Sequence, residues 1–134
     1  MKYFIALSIA LLTLMSCASM KGSNKSLESN TWELIGIQGF QMESLAQPAT
    51  LKFESAEKRA QGFAGCNGFG GQYVIDGKGI KFSNLLSTQK GCTVGTNTEN
   101  QYLKALNNVD GYLVKDGKLF LTQGGKTILE FKKK

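Results

Sequence analysis

The chain has 134 residues, 42% of them hydrophobic, and a formal charge of +6 from 16 Lys and Arg against 10 Asp and Glu. That length holds one small domain and a processed leader, with an apolar share normal for a globular core. There is no histidine, so the commonest general base and the commonest metal ligand are both missing, which removes much enzymology. A basic balance can signal nucleic acid or an anionic surface. Here the lysines are scattered without interleaved arginines and aromatics, the terminal Lys132-Lys133-Lys134 reads as a solvated tail, and no nucleic acid is expected as a partner.

Lys2 is followed by an apolar run from Phe4 to Met15, well short of the roughly 20 residues a spanning helix needs, so residues 1–16 read as a secretion signal. The ending Leu14-Met15-Ser16-Cys17 resembles the lipobox of bacterial lipoproteins, in which a small residue precedes a cysteine that is acylated and becomes the new N-terminus. An ordinary signal peptide with an incidental cysteine is the plain alternative. Acylation at Cys17 would make membrane lipid a partner, since each buried methylene contributes roughly 0.8 kcal/mol and more than one chain is attached. Residues 17–30 are polar and small without apolar period, and read as a lipid-anchored tether to a domain spanning 31–134.

If Cys17 carries lipid, Cys66 and Cys92 remain as an even pair in an oxidising compartment. A disulfide is the economical reading; closing a loop of about 27 residues would stabilise the fold by roughly 3 to 4 kcal/mol in the chain-entropy model. A reactive free thiol is the alternative. A metal site would need two more strong ligands, so neither metal nor cofactor is expected.

Order is expected to begin at Thr31-Trp32-Glu33-Leu34-Ile35-Gly36-Ile37, a half-buried strand with Trp32 and Leu34 on one face. Gln38 to Pro48 reads as a connection with one helical turn at Met42 to Ala46. Thr50 to Glu54 alternates cleanly, and Arg59 to Ala64 returns. Residues 62–73, Gly-Phe-Ala-Gly-Cys-Asn-Gly-Phe-Gly-Gly-Gln-Tyr, concentrate five of the 16 glycines. Their density, with Asn67, marks a tight corner between two strands. Phe69 to Ile75, the Asp76-Gly77 turn and Ile80 to Phe82 form a hairpin, whereas Ser83 to Cys92 lacks a clear period. Thr96-Asn97-Thr98-Glu99 reads as a capping box opening the one convincing helix, whose Tyr102, Leu103, Leu106 and Val109 share a face. Hairpins turning at Asp116-Gly117 and Gly124-Gly125 complete the chain. The fold class expected is mainly β with an α+β character: a small antiparallel barrel-like sheet with one packed helix.

These motifs resemble the META domain family, which includes HslJ-like envelope lipoproteins associated with heat shock. The family's G-x-x-G-C-N-x-F-x-G-x-Y pattern is met by Gly62, Gly65, Cys66, Asn67, Phe69, Gly71 and Tyr73. Its T-x-x-x-C is met by Thr88 and Cys92, its W-x-L opening by Trp32 and Leu34, and its helix by Glu99, Tyr102 and Leu106. Lys90 departs from the pattern, standing where members carry an apolar residue, often Met. The resemblance covers residues 31 to 131 and implies an antiparallel β domain whose two motif cysteines pair. It brings no established reaction, only an association with envelope stress and secretion.

The function expected is a non-enzymatic module of the bacterial cell envelope, lipid-anchored at the outer membrane and facing the periplasm, with an unknown envelope protein or glycan as partner. Asn67, Gln72 and Thr88 are the candidate binding surface, although Asn and Gly at this corner are better explained by the turn itself. The alternative is a secreted inhibitor of a hydrolase such as a protease or lysozyme, presenting a rigid loop at Gly65 to Gly71. The carboxylates are scattered, and Glu99, Asp76 and Asp116 are accounted for by a cap and two turns, so no catalytic residue is assigned.

Overall fold

In the computed structural model, which describes residues 22–134, each alternating segment becomes a strand. The order is α1 (Gly22–Glu28), β1 (Thr31–Ile37), β2 (Thr50–Glu54), β3 (Arg59–Phe63), β4 (Gly68–Asp76), β5 (Gly79–Ser87), α2 (Thr96–Asn108), β6 (Gly111–Lys115), β7 (Lys118–Gln123) and β8 (Lys126–Lys133). Neighbours are antiparallel throughout, and β8 returns to β1, so the sheet closes into a barrel-like ring. Closure is thinnest between β5 and β6, which pair only at Gly79 and Gly111. Two further backbone bonds, Ile80 N–H to the Asp110 carbonyl at 3.2 Å and Tyr112 N–H to Lys78 at 3.1 Å, hold that seam.

Inward positions of the strands fill the ring with a single core that includes Trp32, Leu51, Tyr73, Leu121, Leu129 and Phe131, all essentially solvent-free. Ring edges meet ring faces inside it: Phe53 on Tyr73 at 5.0 Å and Phe69 on Tyr102 at 5.5 Å. Tyr102 and Leu106, one turn apart on α2, deliver the buried face of that helix over one end of the ring. The hairpins at Asp116-Gly117 and Gly124-Gly125 both have positive φ at the two turn residues, the mirror-image turn that matches strand twist.

Four readings are corrected. Met42 to Ala46 forms no helix. β5 continues to Ser87 across a bulge at which Asn84 takes φ 52°, which broke the alternation that the eye looks for. The C-terminal lysines are not a loose tail: Lys132 and Lys133 lie in β8, and the Lys134 amide donates to the Thr31 carbonyl at 2.9 Å. The fourth correction is α1, within the segment read as tether; Cys17 and residues 1–16 lie outside the described residues.

Helix α1 spans the end of the ring opposite α2. Leu27 is fully buried, and its carbonyl accepts the Trp32 indole N–H at 2.9 Å. Asn24 accepts from the Tyr112 hydroxyl, and Glu28 accepts from the Tyr73 hydroxyl and from Lys58 Nζ at 2.9 Å. Burial alone would push the Glu28 carboxyl up, but the Tyr73 hydroxyl and the Lys58 ammonium outweigh it and hold it below the usual range. Burial and the facing carboxylate together raise the Tyr73 phenol. With one apolar residue in seven, the helix has no periodic signature, and its stability comes from docking. Leu27→Ala should therefore cost about 2 to 4 kcal/mol in equilibrium denaturation, whereas a change within about 0.5 kcal/mol, as at a solvated surface position, would mean the segment is only a tether.

Candidate functional site

The glycine-rich corner between β3 and β4 lies directly on the start of α2. Gly65, at φ 122°, has no room for a side chain: a Cβ there would stand 2.9 Å from the Gly95 carbonyl oxygen, and Gly95 faces Gly65 in the same way. Gly95, at φ 93°, is the residue before the helix, and no side chain caps its first turn from within. Thr96 is therefore not the cap that the sequence suggested. The cap arrives from far away in the chain: the Thr98 N–H donates to Glu43 Oε2 at 2.8 Å while the Glu43 N–H donates to Thr98 Oγ1 at 3.0 Å. This is the reciprocity of a capping box across 55 residues of sequence. The amides of Thr98, Gly95 and Asn97 hold the Glu43 carboxyl below its usual range.

Glu99, freed from capping its own helix, turns to the corner. Its Oε2 accepts the N–H groups of Cys66 at 3.2 Å and Asn67 at 2.5 Å, and its Oε1 accepts the Asn67 side-chain amide at 3.0 Å. Asn67 passes the connection on. Its Oδ1 accepts the Thr88 hydroxyl at 3.0 Å and the Lys90 N–H at 2.7 Å, and its Nδ2 also reaches the Lys90 carbonyl at 3.3 Å. Both residues are buried, and among the described residues no buried side-chain polar atom lacks a partner. The Cys66–Cys92 disulfide, Cα atoms 5.9 Å apart, closes the same loop covalently. Lys90 is used through its backbone while its side chain is exposed, so an apolar residue is not needed there to place the loop.

Beside this network the outer face of the sheet carries a groove of about 630 Å³. Gly68 and Gly70 leave bare backbone at its floor. Lys52, Arg59 and Gln61 stand on one side, and Leu86, Ser87 and Thr88 on the other. Thr88 ties this wall to the network, since its hydroxyl bonds Asn67 and its N–H donates to the Gly68 carbonyl at 3.0 Å. Gln61 is oriented by Glu54 at 2.6 Å, and Leu86 is 77% exposed. The floor strand β4 is paired on both sides, so a ligand could not add as another strand and would be read by side chains.

Of the three surface residues proposed from sequence, the structure places only Thr88 in the groove. Asn67 is buried with its amide fully used inside the protein. Gln72 lies on β4 away from the lining and accepts from Asn84 at 2.9 Å. Lys52, Arg59, Gln61 and Leu86 were missed; the alternation of β2 and β3 marked the first three as outward, but nothing local revealed that β5 would bring Leu86 opposite them.

Two outcomes follow from these bonds. Asn67→Asp keeps the shape but sets a carboxylate against Glu99, so it should cost about 2 to 4 kcal/mol at pH 7. Because a neighbouring carboxylate raises the folded-state pKa of the introduced aspartate, the deficit should shrink as pH falls toward 5; denaturation midpoints at both pH values check it, and an undiminished deficit would contradict it. For Glu43, whose folded pKa is lowered, stability is fully present above the ordinary value near 4.5 and is lost as pH falls through the folded value. Glu43→Gln should therefore show a flatter loss of stability than the parent between about pH 5 and pH 3, measured as denaturation midpoint against pH.

The comparisons with known proteins agree with this architecture. A protein from Burkholderia xenovorans, solved by NMR, is 24% identical with a TM-score of 0.65, over 82% of this chain and 85% of that one. A crystal structure of a DUF4847 family protein from Bacteroides vulgatus superposes with a TM-score of 0.60 at 17% identity, over 81% of this chain and 96% of that one. At these identities the likeness concerns the fold alone. No curated protein matches the chain. The META domain model matches residues 25–134, from within α1 to the last residue, and the chain belongs to the META domain family.

Proposed function

We propose that the protein is a lipid-anchored module of the bacterial cell envelope, attached through acylated Cys17, that binds a partner in the groove over β4 without transforming it. The observation that carries the binding role is the groove itself. Its floor is glycine backbone that admits close approach, and one wall is fixed by the Asn67–Glu99 network and the disulfide. Rigid walls of this kind lose little freedom on binding. Lys52 and Arg59 suit a carboxylate-bearing protein or glycan chain, with Gln61, Ser87 and Thr88 as hydrogen-bonding groups and Leu86 as an apolar contact.

Inhibition of a hydrolase would need the Gly65 to Gly71 loop to project. Gly65, Asn67 and Phe69 are buried, which favours the groove over the loop as the contacting surface. The anchor rests on Ser16-Cys17 and the apolar leader before it, and the outer-membrane location on the resemblance to HslJ-like lipoproteins.

The test combines an anchor and a groove measurement on the chain expressed in its native envelope. Intact mass should show loss of residues 1–16 and added acyl mass, and Cys17→Ser should leave the membrane fraction. A photo-crosslinking residue at position 86 should give a discrete adduct that Arg59→Glu abolishes, whereas one at Leu113, exposed elsewhere on the sheet, should not. A retained leader would overturn the anchor, and identical adducts at both positions would overturn the groove.

A further inference from the structure

The register of the sheet sets three lysines directly opposite one another on adjacent strands: Lys115 of β6 faces Lys118 of β7, which faces Lys132 of β8. Like charges in directly opposed positions destabilise a sheet. Two are partly compensated on the same face, Lys118 by Glu130 at 2.9 Å and Lys132 by Glu33 at 3.2 Å. Lys115 has no ion pair among the described residues, and Lys133 and Lys134 add exposed cations at the end of β8. Lys133 is held here by its backbone N–H, which donates to the Gly117 carbonyl at 2.9 Å, at the tip of the β6–β7 hairpin. The fold thus gathers a basic edge that its own packing does not require.

The place of that edge is informative. The chain enters the domain along α1, and Asn24, near the start of the helix, meets the Tyr112 hydroxyl on β6. Lys115 is three residues further along the same strand, about 10 Å away. Only five peptide steps separate Cys17 from Gly22, where α1 begins, a reach of roughly 18 Å even when fully extended. A tether running to residue 30 would have let the domain swing well clear of a surface. With α1 folded onto the ring, the entry end can stand no farther than roughly 18 Å from whatever holds Cys17, so a surface there is within its reach, and on contact the lysines come within a Debye length of about 8 to 10 Å.

We propose that the Lys115–Lys118–Lys132 row, with Lys133 and Lys134, docks the entry end of the domain against an anionic phospholipid surface, fixing its orientation on the membrane. This rests on the lipid-anchor reading. The α2 end and the network around Glu99 then face away from the lipid. Leu113, 53% exposed on the same outer face as Lys115, adds an apolar contact beside the cations.

The experiment uses the mature protein as extracted from its native envelope, mixed with two kinds of vesicle: phosphatidylcholine alone, and phosphatidylcholine with about a third phosphatidylglycerol. A water-soluble amine-acetylating reagent is applied, and the rate at each lysine is read by mass spectrometry. Lys115, Lys133 and Lys134 should react at least about threefold more slowly on the anionic vesicles, and about 0.5 M salt should remove the difference. Lys104 and Lys126, toward the α2 end, should react equally on both. Equal rates at all positions in a protein that floats with both vesicles would overturn the docking while leaving the anchor intact. Flotation with anionic vesicles only, with the slow lysines preserved, would support the docking and contradict the anchor. Flotation with neither would overturn both.

Discussion

The Glu99 carboxylate is the group on which the rest of the site depends. Three donors converge on it, two of them backbone amides of the corner between β3 and β4. A buried carboxylate is tolerated only when its oxygens are met in this way, and a buried corner needs its amides met just as strictly. Each requirement answers the other. Glu99 is able to serve the corner because Glu43 has taken over the capping of α2, so three segments distant in sequence are committed by one helix terminus. Gly65 and Gly95, in mutual backbone contact, are the steric condition for the arrangement. Asn67 carries it to Thr88 and Lys90, and hence to the wall of the groove.

The ring is closed at its two ends by different means. At the α2 end, closure comes from an amphipathic helix that buries Tyr102 and Leu106 and carries a polar network at its start. At the α1 end, one buried leucine, one indole hydrogen bond and two tyrosine hydroxyls dock a seven-residue helix. The first arrangement fixes one wall of the groove; the second brings the start of the described chain up to the sheet. The lysines that face one another across β6, β7 and β8 lie toward this second end.

Much of the fold was legible from sequence because its signals are local. Period-two alternation located the strands, and Asp116-Gly117 and Gly124-Gly125 marked turns that only positive φ can make. Tyr102 and Leu106 identified the buried face of α2. The Cys66–Cys92 pairing followed from an even count in an oxidising compartment and from the family resemblance. What was not legible depends on contacts between distant residues. Thr96 and Glu99 had the spacing of a local cap, yet Glu43, more than fifty residues earlier, wins that place. Leu27 carries no period to advertise a helix, and the bulge at Asn84 disguises the second half of β5. The groove joins Lys52, Arg59 and Leu86 from three strands, so no single stretch could show it. Asn67 was read as a surface residue, because an Asn in a glycine-rich corner looks the same whether its amide faces solvent or a buried carboxylate.

Amide hydrogen exchange at Cys66 and Asn67 in the intact, oxidised protein tests most directly whether the Glu99 carboxylate organises the corner. Both amides lie outside regular strand, and their donation to Glu99 is what would keep them from solvent. The account expects them to exchange only with global unfolding, at the rate of the core amides of β4, and Glu99→Ala to release both to local opening. Exchange at loop-like rates in the parent protein, or unchanged protection in the variant, would contradict it.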